Sequence, residues 1–201
     1  MPTVTLYGHA ASGHACKVGV ALRLADVAHR TIVVDINAPR DTRPADFLAA
    51  NPAAEVPVLV VDDEPLVQSG AILHRIATMT GTLGGDDPAQ MDRARALMMW
   101  EANRIGMCLP QLIAAPKDGF APQVVDWLSS RYAVDRDRFD LYLGDADFFH
   151  GDAPGIADCA IWGYVQWVDR AGMTPSDAMA GWLDRMRALP QMETPEAMFP
   201  Q

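Results

Sequence analysis

The chain has 201 residues, half of them apolar and 21% charged, with a formal net charge of -10 at pH 7; at this length about 70% of the extended-chain surface is buried on folding, so no disulfide or structural metal is required. The apolar content excludes intrinsic disorder, the acidity argues against nucleic acid and anionic membranes as partners, and no apolar run approaches the roughly 18 to 20 residues of a bilayer span. No secretory leader is recognisable, so a cytoplasmic location is expected; Cys16, Cys108 and Cys159 are widely spaced and form no Cys-x-x-Cys pair, so no disulfide framework or bound metal is expected.

In chain order, TVTLY at 3–7 predicts a strand, GHAASGH a polar turn, and CKVGVALRLA the helix that follows. TIVV at 31–34 is a second strand, RPADFLAANP a helical segment closing near Asn51 and Pro52, VPVLVV at 56–61 a third strand, and PLVQ at 65–68 a fourth. The acidic turn Asp62, Asp63 and Glu64 is too short for a crossover, which predicts an antiparallel hairpin. Ser69 is expected to cap an apolar stretch through Ile76, and TGTLGGDDP then breaks regular structure. Apolar residues at 94, 97, 98, 100, 102, 105 and 107 predict one helix over 91–107, with further helices at 124–132, 139–143, 156–168 and 178–189. The expected fold class is α/β plus all-α: a βαβαββα domain at 1–80, a linker at 81–87 and a helical domain at 88–201. Residues through Leu83 carry 6 basic and 8 acidic side chains against 10 and 18 beyond, so the negative charge lies chiefly in the helical half.

Taken singly, the polar residues of the first turn have ordinary structural readings. Ser12 suits a helix N-cap, Tyr7 a strand-end aromatic, His9 and His14 solvent-facing turn positions, and Cys16 a small core side chain. No acidic partner is spaced to complete a hydrolase triad.

The order of three longer segments is more specific. LYGHAASGHACKVGVAL, then FLAANPAAEVPVLVVDDEPLVQSGAILHRIA, then GDAPGIADCAIW, with AGWLDRMRALP near the end, resembles the cytosolic glutathione transferase family, in particular its serine-type bacterial classes. The resemblance implies a thioredoxin-like first domain that binds glutathione and a helical second domain that helps form the site of the other substrate. It implies that the Ser12 hydroxyl donates a hydrogen bond to the glutathione thiolate, making Ser12 catalytic without its being a nucleophile; Tyr7 is the other phenol or hydroxyl able to do so. It further implies a cis peptide before Pro57, with the Val56 backbone meeting the glutathione cysteine, Gln68 and Ser69 on the γ-glutamyl end, and Arg43 at the glycyl carboxylate.

Two positions depart from the family pattern. Glu55 puts an acid where relatives carry Gln, Lys or Arg, and Gly155 lacks the side-chain acceptor usual before Ile-Ala-Asp, leaving Asp158 to stabilise the helix start alone. For the second substrate, Met98, Met99, Asn103, Met107, Trp162 and Trp167 lie in candidate cleft helices, although each also suits an ordinary core. The expected activity is transfer of glutathione to a small hydrophobic electrophile by a metal-free homodimer. The alternatives are glutathione-dependent isomerisation, dehalogenation or peroxide reduction, and a noncatalytic glutathione-binding relative. Two-cysteine redox exchange finds no support.

Overall fold

The computed structural model describes residues 2–200. The first part runs β1 (Val4–Gly8), α1 (Gly13–Leu24), β2 (Arg30–Val33), α2 (Ala45–Ala50), β3 (Val58–Val61), β4 (Glu64–Val67) and α3 (Ser69–Thr80). The sheet order is β2-β1-β3-β4, with β1 parallel to β2 and antiparallel to β3, and β3 antiparallel to β4. This is the expected βαβαββα arrangement. The hairpin closes through Asp62 and Asp63, both at positive φ (48° and 68°), the twist that a two-residue loop needs and that short acidic side chains tolerate.

Alternation along β1 sorts its side chains between two cores. Leu6 faces the main core with α1 and α3, whereas Tyr7 turns to the opposite face, where its ring meets Phe47 of α2 at 5.6 Å between centroids. Tyr7 is thereby buried as a packing residue.

The second part is α4 (Pro88–Asn103), α5 (Ile105–Asp118), α6 (Pro122–Leu143), α7 (Ile156–Val165), α8 (Asp177–Ala188) and α9 (Pro195–Met198). It differs from expectation in three places. The single helix over 91–107 is two helices broken at Arg104 (φ -125°, ψ -95°), and the second continues to Asp118 through Pro110 and Pro116. The segments 124–132 and 139–143 are one 22-residue helix, because the polar stretch between them is held by Asp135, which is fully buried and bonds Arg104 at 3.0 Å and Arg138 at 2.9 Å. The terminal α9, capped by Thr194, was not expected.

The two parts meet along α1, which is buried continuously from Ala15 to Leu22. Its start crosses α7 so closely that a Cβ on Gly13 would lie 2.6 Å from the Gly163 carbonyl oxygen, so glycine is needed there. Met198, which ends α9, and Phe199 just past it cover Gly19 and Gly8, and Arg23 pairs with Glu193 at 2.6 Å. At the start of α7, Gly155 offers no capping side chain; Asp158 accepts from the Gly155 and Phe149 amides and from Trp182 Nε1, each at 2.9 Å. Among the described residues no helix is long and apolar enough to cross a membrane.

Candidate active site

The turn after β1 is built by its own polar groups. His9 Nδ1 accepts from the Ala11 amide at 3.0 Å, and the Ser12 amide donates to the His9 carbonyl at 3.0 Å. His9 is therefore buried rather than solvent-facing. Ser12, extended at φ -98° and ψ 107°, caps α1 by accepting from the Ala15 amide at 3.2 Å. That bond uses an oxygen lone pair and leaves the hydroxyl proton free to donate.

A second edge forms where α2 gives way to β3. Asn51 is buried and holds the loop, donating from Nδ2 to the Glu55 carbonyl at 2.8 Å and accepting from the Ala53 amide at 3.2 Å. The Val56–Pro57 peptide is cis, and ladder pairing begins only at Val58. Among the described residues the Val56 N–H and C=O make no hydrogen bond, so a free peptide edge stands there. Gln68 then enters α3 at φ 70°, a left-handed conformation that costs a glutamine of order 1–3 kcal/mol. Ser69 is the first residue of α3 and does not cap it; its Oγ instead lies 3.3 Å from His14 Nδ1.

Val56, Pro57, Gln68, Ser69, Asn51 and His14 line a cavity of about 220 Å³. His14, Gln68 and Ser69 also line a larger one, of about 470 Å³, between α1, α3 and α4. Leu73, Met98, Met99 and Ala160 give it apolar walls, with Lys17 and Glu101 also in its lining. Of the side chains expected at a second-substrate site, Met98 and Met99 are there; Asn103, Met107, Trp162 and Trp167 are not, and the two tryptophans line a separate cavity.

Neither Ser12 nor Arg43 lines either of the first two cavities. Arg43 is committed elsewhere: its guanidinium donates to the carbonyls of Ala54, Ile36 (2.8 Å) and Ala38 (3.2 Å), stapling two loops together. Glu55 lines the smaller cavity but its carboxylate pairs with Arg40 at 3.3 Å, an exposed contact that offsets part of its charge.

Two charged groups beneath the site, Lys17 and Glu101, escaped sequence reasoning, and His14, expected to face solvent, is half-buried beside them. Lys17 Nζ donates to both oxygens of Glu101, at 2.9 and 2.8 Å, joining α1 to α4 with both side chains buried. Burial pushes the Glu101 carboxyl upward and the Lys17 charge opposes that shift. Lys17 also lies 3.4 Å from His14 Nδ1, so that nitrogen faces two donors; it accepts, and the ring proton sits on Nε2, facing away from them. Burial, aided by the Lys17 charge, lowers the His14 pKa to about 4.

A base whose folded pKa is depressed gives a contribution that is complete above its unfolded value and is lost as pH falls toward the folded one. Relative to the unaltered protein, His14→Gln is therefore expected to gain about 2 kcal/mol of stability between about pH 7.5 and about pH 5. Urea midpoints at the two pH values check this; a difference that does not change with pH would show a histidine that is not held neutral.

No set of three or more His, Cys, Asp or Glu among the described residues is arranged to hold a metal ion. All three cysteines are buried, and burial pushes the Cys16 thiol up to about 12.

Comparison with known proteins gives a consistent picture. The family model for the glutathione S-transferase N-terminal domain matches residues 2–78, and that for a glutathione S-transferase C-terminal domain matches 121–190. The chain is 28% identical to the disulfide-bond oxidoreductase YfcG of Escherichia coli, over 89% of this chain and 87% of the relative. It is 33% identical to a maleylacetoacetate isomerase of Rhizobium meliloti, over 78% and 77%. Among solved structures, a glutathione S-transferase from Pseudomonas fluorescens superposes with a TM-score of 0.84 at 24% identity, covering 96% of this chain and 98% of that one.

Proposed function

The chain belongs to the glutathione S-transferase family, and on that premise we propose that it binds glutathione along the Val56 edge and stabilises its thiolate for attack on a small hydrophobic electrophile. The observation that carries this reading is the unpaired Val56 peptide facing the same small cavity as the start of α3. A tripeptide laid against Val56 extends the sheet by one short strand, and the N–H groups of the first turn of α3, with Gln68 and Ser69, receive its γ-glutamyl end. Its thiol is then directed toward the first turn of α1, where the Ser12 hydroxyl donates to the sulfur and the positive helix end favours the anion. The larger cavity, with its methionine wall, takes the electrophile.

Arg43 is given no part in this scheme, because both of its Nη groups bond backbone carbonyls and tie two loops together. An activated thiolate could also serve an isomerisation, the kind of reaction in the name of the maleylacetoacetate isomerase relative, so the second substrate decides which reaction results. Exchange through the protein's own cysteines is disfavoured by their burial. A homodimer is expected from the family.

The test is thiolate absorbance during a pH titration of glutathione with excess protein. The bound thiol is expected to titrate about one to two units below free glutathione, about 1.4 kcal/mol of preferential thiolate binding per unit. In Ser12→Ala about one unit of that shift should disappear while glutathione still binds, and Ser12→Thr should keep it. An equal shift in Ser12→Ala would remove Ser12 from the mechanism, and no binding by any form would sink the reading.

A further inference from the structure

A cavity of about 350 Å³ opens on the outer face of the sheet and shares no lining residue with the two at the candidate active site. That face is left partly uncovered because α2 is only six residues long. Val60 and Pro65, opposite one another in the β3–β4 ladder, form the floor with Tyr7. Asp46, Ala49 and Ala50, at helical spacings of three and four, set one face of α2 along its side, and Asp63 of the hairpin completes the lining.

Three unpartnered acceptors line this space. Tyr7 is 8% exposed with its ring packed on Phe47, yet its hydroxyl is not sealed from solvent and makes no hydrogen bond among the described residues. The carboxylates of Asp46 and Asp63 likewise take part in no ion pair or hydrogen bond among the described residues, unlike that of Asp62, which accepts from the Thr3 amide at 2.9 Å. The lining contains no lysine, arginine or histidine, so its charge is of one sign and an anion is repelled. A calcium ion, which takes six to eight oxygen ligands, is poorly served by two carboxylates, and no set of three metal-ligating side chains stands here among the described residues. A primary ammonium group carries three N–H donors and no acceptor, which matches two carboxylates and a phenol oxygen, and an attached alkyl chain matches the apolar floor.

We propose that this cavity binds a small primary alkylammonium ion, with Asp46, Asp63 and the Tyr7 oxygen accepting from its nitrogen and Ala49, Val60 and Pro65 against its chain. Both carboxylates are exposed, so each contact is weak alone and selectivity comes from the three acting on one nitrogen. The volume lies at the small end of ligand cavities and suits a chain of a few carbons. The site does not depend on glutathione occupancy.

Hexylammonium is a suitable probe. In 15N-labelled protein at low salt, the backbone amide resonances of Ala49, Ala50 and Val60 should shift on its addition and saturate with a Kd of about 1–10 mM, the range for so small a ligand. Hexyltrimethylammonium has the same charge and chain but no N–H donor, and should bind at least about fivefold more weakly; hexanoate should cause no shift. Asp46→Asn and Asp63→Asn should each weaken hexylammonium about three- to fivefold, and the double variant more than about tenfold. Asparagine tolerates the left-handed backbone of position 63, so the hairpin is kept. Tyr7→Phe, which retains the ring on Phe47, should weaken binding about threefold. The Kd should change less than about twofold when S-methylglutathione, which has no free thiol, is added at saturation. Resonances that stay still, equal binding of the two ammonium ions, affinity unchanged in the double variant, or displacement of hexylammonium by an equal concentration of calcium chloride would overturn the proposal.

Discussion

Replacing Lys17 by methionine is expected to destabilise the fold by about 3–5 kcal/mol, measured by urea denaturation at neutral pH. The cost does not come from a strong net attraction. Bringing both charges out of water offsets most of what the contacts at 2.8 and 2.9 Å return, so the intact pair is worth little against an apolar replacement. Removing only the lysine leaves the Glu101 carboxyl buried without its partner, and Glu101 then either stays charged at high cost or takes a proton. The double variant Lys17→Met/Glu101→Met should therefore recover most of the loss, since both side chains are unbranched and of similar volume. A double variant as unstable as the single one would show that packing of the lysine stem, rather than the orphaned charge, is what matters. Because the pair also lies in the lining of the larger cavity, the double variant should bind glutathione at the Val56 edge with unchanged affinity while its preference among electrophiles shifts toward apolar ones.

The second large effect is expected at Asp158. Its Oδ1 accepts from the Phe149 amide and Trp182 Nε1, and its Oδ2 accepts from the Gly155 amide. Asp158→Ala leaves three buried donors unsatisfied, for a cost of about 4 kcal/mol or more. Asp158→Asn keeps an oxygen for the first two donors but sets its NH2 against the Gly155 N–H, so about half that loss is expected. Near-ultraviolet circular dichroism reports the Trp182 environment directly, alongside thermal melting. Equal costs for Ala and Asn would mean that the Gly155 contact alone carries the effect. This residue also answers the question raised by Gly155: the start of α7 is held without a capping side chain, because the same carboxylate serves the loop, the helix start and α8.

The sheet was legible because its strands are short β-favouring runs set between obvious turns, and the acidic hairpin loop allows only one kind of connection. The helical half was less so, for reasons of local chemistry. Pro110 and Pro116 read as breaks, yet both sit inside α5, whose register is imposed by packing of Cys108, Leu109 and Leu112 in the core. AVDRDR within α6 reads as a polar gap because its buried acid is satisfied by Arg104 from another helix, a contact no local pattern contains. At the site, Val56, Pro57, Gln68 and Ser69 come together as the resemblance implied, whereas Arg43, sited by motif position alone, turns to backbone carbonyls. Lys17 and Glu101 did carry a signal: each is a lone charge in an apolar stretch, CKVGVAL and ALMMWEA, and the signs are opposite. His14 carried none, because the groups that half-bury it, Ser69 of α3 and the Tyr164 ring of α7, reach it only in the fold.

The continuous burial of α1 bears on how the chain is made. The sheet covers one side of that helix, but its outer side is covered by α7 and by the tail at Met198 and Phe199, which are synthesised well after it. Until then the first part therefore carries an uncovered apolar helix at the root of the Ser12 turn. Until α7 and the tail dock, the nascent chain presents that hydrophobic surface to chaperones.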